Sequence, residues 1–201
     1  MMRSILAIAT VGFAAHDVLA YRAATVEFSP PYISEVTSRD QAVSLQLANV
    51  GRMDTFVAKA KSEGAQIVVF PEYGLQSWPE SGSWSREMMS YFVEAVPTVS
   101  DGVDINPCLD AEKLNVSVPI TVAASCLARK YEIVLVIDMG DAAPCTYELS
   151  ATGTCDREDG QLMWNTAVAF NEEGVLLAKY HKKHLYELSA HIYHLIFEQI
   201  W

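Results

Sequence analysis

The sequence predicts an α/β domain, and three observations carry that reading. Two apolar runs, residues 65–70 (AQIVVF) and 132–140 (EIVLVIDMG), are too unbroken for half-solvated strands and suit a sheet covered by helices. The segment before the first of them places apolar residues at helical spacing. Strand and helix signals then alternate along the chain, which is the pattern of a layered α/β domain.

In chain order, residues 23–28 (AATVEF) read as a first strand, stopped by Ser29-Pro30-Pro31. A helix is expected over 38–61, where Val43, Leu47, Val50, Met53, Val57 and Ala60 form a stripe of 3.6-residue period, and Glu63-Gly64 ends it. The strand 65–70 follows. Residues 78–107 are irregular, with a short helix expected near 86–94. A further helix is expected over 119–130, because Pro119 suits a first helical turn. The strand 132–140 comes next, and two more strands flank a turn at 171–174, a hairpin that carries residues 179–185 at its exit.

Composition narrows the function. The 201 residues suffice for one domain with a core, and a net charge of -11 argues against a nucleic-acid partner, which would require a basic surface. The start, MMRSILAIATVGFAAHDVLA, has a basic residue, a short apolar run and small residues before a possible cut, so residues 1–20 are expected to be a secretory signal and the protein to be secreted. No other segment reaches the length of a membrane span. In an oxidising compartment Cys108, Cys126, Cys145 and Cys155 become disulfide candidates, with Cys145 and Cys155 stapling a turn-rich loop. Asn115-Val116-Ser117 is a glycosylation sequon. The cysteines lack the close spacing of a zinc site, and no HExxH arrangement exists, so neither a metal nor another cofactor is expected.

The stretch VVFPEYGL, residues 68–75, sets Glu72 just past a buried strand. Ligands of α/β sheets settle beyond the carboxyl ends of the strands, so a carboxylate there is a candidate reactive group. A solvated turn residue is its ordinary alternative. Tyr73 and Trp78 follow it as candidate lining of a substrate crevice, with core or rim aromatics as the commoner alternative.

These segments fall into a known order. FPEYGL after a helix and a strand, then EIVLVIDMG, then WNTAVAFNEEGVLLAKYHKKHL, resemble the nitrilase superfamily of carbon-nitrogen hydrolases. NPCL (106–109), SCLA (125–128), the paired Cys145 and Cys155, and KYHKKHL look most like its secreted vanin and biotinidase branch, whose members hydrolyse amides of pantetheine or biotin. The resemblance implies an α-β-β-α sandwich, of which residues 23–186 would form the N-terminal part and 187–201 a divergent apolar tail. It also implies a Glu-Lys-Cys triad that needs no metal, a small-molecule amide as substrate, and pairing into a homodimer.

By motif match, Glu72 is the expected general base and Lys182 the expected oxyanion donor, with Lys183 its confusable neighbour. His184 is expected to support the loop that carries Lys182. Amide hydrolysis requires a nucleophile, a base that returns the proton to the leaving amine, and a positive donor at the developing oxyanion. The cysteine nucleophile should follow the lysine, yet all four cysteines precede Lys182. The 201-residue chain is therefore expected to be inactive alone, and a non-catalytic secreted glycoprotein or binding protein is the alternative.

Overall fold

The computed structural model describes residues 21–99, 103–114, 117–146 and 158–185. Its elements are β1 (Ala23–Thr25), β2 (Tyr32–Ile33), α1 (Arg39–Ser62), β3 (Ile67–Val69), β4 (Trp78–Pro79), α2 (Arg86–Ser90), β5 (Val93–Glu94), α3 (Pro107–Asp110), α4 (Pro119–Tyr131), β6 (Val134–Pro144), β7 (Gln161–Phe170) and β8 (Leu176–His181). One sheet runs in the order β1-β3-β6-β7-β8, with β5 also paired to β6. Pairing is parallel from β1 to β6 and antiparallel from β6 to β8. β2 and β4 form a separate parallel ribbon.

Strand alternation decides where the core sits. Along β6, Leu135, Ile137 and Met139 are buried, while Val134, Val136 and Asp138 between them are half-buried. The buried set packs with Met53 and Val57 of α1 and with Ile120 and Ala124 of α4. The two long helices thus form one layer on one face of the sheet, as in one half of the expected sandwich, and a second buried cluster joins Trp84, Met88 and Met89 to Val93 of β5 and Met163 of β7.

The two long helices fall where their sequence signals put them. Ser38 caps α1 by accepting the N–H of Gln41, and Pro119 opens α4. The expected apolar stripe of α1 holds only in its second half. Leu47 is 40% exposed, and the buried face of the first half is Ala42, Gln46 and Asn49. Their partners explain this, because they lie in loops. Gln46 Nε2 donates to Phe92 O (3.2 Å), and Asn49 Nδ2 donates to Leu75 O and Ser77 Oγ (both 2.8 Å). The amide of Asn49 therefore ties α1 to the segment that follows Glu72.

The helix expected over 86–94 is shorter. It ends at Ser90, and Val93–Glu94 joins the sheet beside Gly140 and Asp141 of β6. A Cβ at Gly140 would lie 2.8 Å from Val93 Cγ1, so glycine allows the close approach. Glu94 then reaches the start of α4, where Val118 supplies no side-chain cap. Its carboxylate accepts Ile120 N–H and Thr121 N–H (both 2.9 Å) and Thr121 Oγ1–H (2.8 Å), and Arg39 Nη2 lies 3.3 Å away. Burial pushes this carboxyl up, against the opposing pull of those donors and of Arg39.

A second clamp fixes the β7–β8 hairpin. The Cys108–Cys126 disulfide joins α3 to α4, and Ser125 Oγ–H donates to Gly174 O (2.5 Å) while accepting Cys108 N–H (3.0 Å). Gly174 needs its φ of 86°, and a Cβ there would meet Ser125 O at 2.8 Å. Cys145 is also disulfide-bonded; Cys155, its expected partner, and the sequon residue Asn115 lie outside the described residues.

Because Glu94 serves the helix terminus and Arg39 together, removing it strands several polar groups at once. Glu94→Ala is expected to cost roughly 3 kcal/mol in urea unfolding. A loss within experimental error would contradict that role.

Candidate active site

The sheet itself makes the crevice. One edge of β6 is bordered by β3 at Val134–Val136 and by β5 at Gly140–Asp141, which leaves the stretch between them without a strand partner on that side among the described residues. After β3 the chain keeps one more backbone bond, Phe70 N–H to Val136 O (3.0 Å), and then leaves the sheet at Pro71. It turns through Tyr73, which has a φ of 60°, and Glu72 stands at the point of departure. A positive φ on a tyrosine is strained, and the surroundings hold it. Tyr73 N–H donates to Asp138 Oδ1 (3.0 Å), and its ring meets Trp78 edge-on (5.4 Å) and stacks against Trp84 (6.5 Å).

On the other side, β8 ends at His181, and Lys182 follows it while still tied to β7 by Lys182 N–H to Asn165 O (2.8 Å). This brings the two expected site residues together. Lys182 Nζ lies 2.6 Å from Glu72 Oε1, across 110 residues of sequence. Asn165 Nδ2 donates to the same oxygen at 2.5 Å. Both are short charge-assisted bonds. Glu72, Asn165, Lys182 and Asp138 line one cavity of about 260 Å³, with Val136 and Tyr180 among its walls. The pair is open to solvent, the Glu72 side chain being 43% and the Lys182 side chain 31% exposed.

Two residues of this group escaped the sequence reading. Asn165 sits inside the WNTAVAF motif and shares a strand face with Ala167, the register neighbour of Tyr180. Asp138 interrupts an apolar strand, and a lone acid in such a run is the signal that could have singled it out. Burial pushes its carboxyl up to about 7; the Glu72 charge adds to this, while Tyr73 N–H and Lys182 pull it down.

The support for Lys182 differs from expectation. His184 is exposed, and the bracing falls to His181, whose ring stacks on Trp164 (4.4 Å) and whose Nε2 lies 2.8 Å from Asp141 Oδ2. Asp141 is buried, pairs with Lys179 (2.8 Å), and accepts Val96 N–H (2.9 Å). Alternation puts this cluster on the helix-covered face and Lys182 on the open one. The late histidines His191 and His194 lie outside the described residues.

Similarity to known proteins gives the family. The family model described as carbon-nitrogen hydrolase matches residues 23–197. The chain belongs to the carbon-nitrogen hydrolase family. It is 36% identical over 153 residues to a biotinidase of Takifugu rubripes, covering 76% of this chain and 29% of that protein. It is 31% identical over 149 residues to a pantetheinase of Canis lupus familiaris, covering 74% and 27% respectively. An amidase from Nesterenkonia sp. superposes with a TM-score of 0.47 at 18% identity, over 89% of this chain and 49% of that one. The chain thus spans less than a third of the length of these curated relatives. Its likeness to biotinidases and pantetheinases agrees with the branch expected from the sequence.

The raised Asp138 carboxyl makes a signed prediction. Between about pH 4 and 7 the native state holds a proton at Asp138 that the unfolded chain has released, so this group lowers stability as pH rises. An asparagine side chain at this position would keep the uncharged form and the Tyr73 bond. Asp138→Asn is expected to match the wild type near pH 4 and to exceed it by roughly 1–3 kcal/mol at pH 8, in denaturant titrations across that range. An equal gap at both pH values would contradict the assignment.

Proposed function

We propose that this chain carries the acid-base part of a hydrolase of linear amides, with substrates of the pantetheine or biotin-amide kind. The observation that carries the reading is the 2.6 Å contact between Glu72 and Lys182, which line a cavity on the open face of the sheet over β6 and β7. Glu72 is the general base, taking the proton of a thiol nucleophile and returning it to the leaving amine. Lys182 donates to the carbonyl oxygen as it becomes an oxyanion. Asn165 holds Glu72 on the Lys182 side, since both donate to the same Oε1. The substrate class rests on the likeness to biotinidases and pantetheinases.

The nucleophile is a cysteine that this sequence does not supply. Cys108, Cys126 and Cys145 are bound in disulfides, and every cysteine precedes Lys182. That same observation favours a second reading, a secreted non-catalytic protein that binds an amide without cleaving it. The Cys108–Cys126 bridge supports passage through an oxidising compartment in either case.

The purified 201-residue chain is expected to leave pantetheine and biotin amides uncleaved in a product-release assay. Turnover that disappears in Glu72→Gln would refute this and show a complete site. When the chain is extended by a segment that supplies the cysteine, Glu72→Gln and Lys182→Met are each expected to lower kcat by about 10³-fold or more. An extended chain in which both variants keep full kcat would remove Glu72 and Lys182 from the reaction.

A further inference from the structure

The amide-hydrolase reading uses Glu72, Lys182 and Asn165 and leaves the fourth polar residue of the cavity unassigned. Asp138 projects from β6 where that strand's edge lacks a strand partner among the described residues, and one of its oxygens is taken by Tyr73 N–H. Among the described residues this is the only hydrogen bond its carboxyl makes. It shares the cavity with the Glu72–Lys182 pair, whose two charges offset each other. A negative charge at Asp138 would leave the cavity with a net excess of one, beside Glu72. A neutral carboxylic acid in the same place offers an O–H donor that a carboxylate lacks.

Resting on that reading, we propose that Asp138 is a specificity-determining residue of this cavity: protonated, it donates a hydrogen bond to the carbonyl oxygen of a bound uncharged carboxamide, and ionised, it turns that ligand away. Lys182 and Asp138 then serve the same oxygen, the first as a cation from the exit of β8 and the second as a neutral acid from β6. Burial of the carboxyl, which pushes it up to about 7, places the change at neutral pH. The titratable groups facing Asp138 are Glu72 from the turn after β3, and Tyr180 and Lys182 from β8 and its exit. Lys183 and His184 follow Lys182 along the chain. Asp141, Lys179 and His181 form their own cluster on the opposite sheet face and balance one another there.

The test is binding of propionamide to the 201-residue chain, followed by NMR at the Asn165 side-chain amide and the Tyr73 backbone amide between pH 6 and 8. The protonated fraction of a group titrating near 7 falls about tenfold over that interval, so the dissociation constant is expected to rise about tenfold. Asp138→Asn keeps a donor and removes the titration, and its dissociation constant is expected to stay within about twofold across the range. Asp138→Val removes the donor and is expected to bind about tenfold more weakly than the wild type at pH 6. Wild-type binding that is flat with pH, or a pH dependence that survives in Asp138→Asn, overturns this role and leaves the amide reading standing. Asp138→Val binding as tightly as the wild type at pH 6 does the same. Absence of propionamide binding at every pH overturns both.

Discussion

The contact between Glu72 and Lys182 depends on nearly every other feature of the structure, because neither residue lies inside a regular element. Glu72 sits where the chain quits the sheet after β3, and Lys182 one residue beyond the end of β8. Each is placed by what holds its flank. The Glu72 side is held by the Asn49 bonds to Leu75 and Ser77, by the aromatic group around Tyr73, and by Asp138. The Lys182 side is held by the Asn165 carbonyl, by the His181–Asp141 brace, and at the far end of the hairpin by Ser125 and the disulfide. An exposed ion pair alone is worth little. Here the scaffold brings the two charges together and is not held together by them.

The division of the sheet follows from charge as well as from hydrophobicity. On the helix-covered face the buried acids are fully engaged: Glu94 by a helix terminus and Arg39, Asp141 by Lys179, His181 and a backbone amide. On the open face, among the described residues, Asp138 accepts a single hydrogen bond, from Tyr73 N–H. Desolvation with so little compensation, together with the Glu72 charge, pushes the Asp138 carboxyl up to about 7 at the cavity.

Much of this was legible in the sequence, for identifiable reasons. The long helix, the helix after Pro119 and the hairpin at residues 171–174 have strong local signals, namely period, cap and turn, and they occur where expected. The motifs singled out Glu72 and Lys182, which the fold brings to within 2.6 Å of each other. What escaped was set by partners distant in sequence. Leu47 looked like core by period, but the first half of α1 buries amides against loop carbonyls instead. Residues 93–94 continued a helical pattern, but β6 and the open start of α4 recruited them into the sheet. His184 was expected to support the Lys182 loop, but Asp141, 40 residues from His181, engages His181 instead. The standing of the Glu72–Lys182 cavity as an amide site then rests on where an amide goes.

A crystal structure of the chain soaked with propionamide measures that directly. The account predicts the carbonyl oxygen within hydrogen-bonding distance of Lys182 Nζ and the amide nitrogen turned toward Glu72. Propionamide bound elsewhere, with the Glu72–Lys182 contact undisturbed, would contradict it.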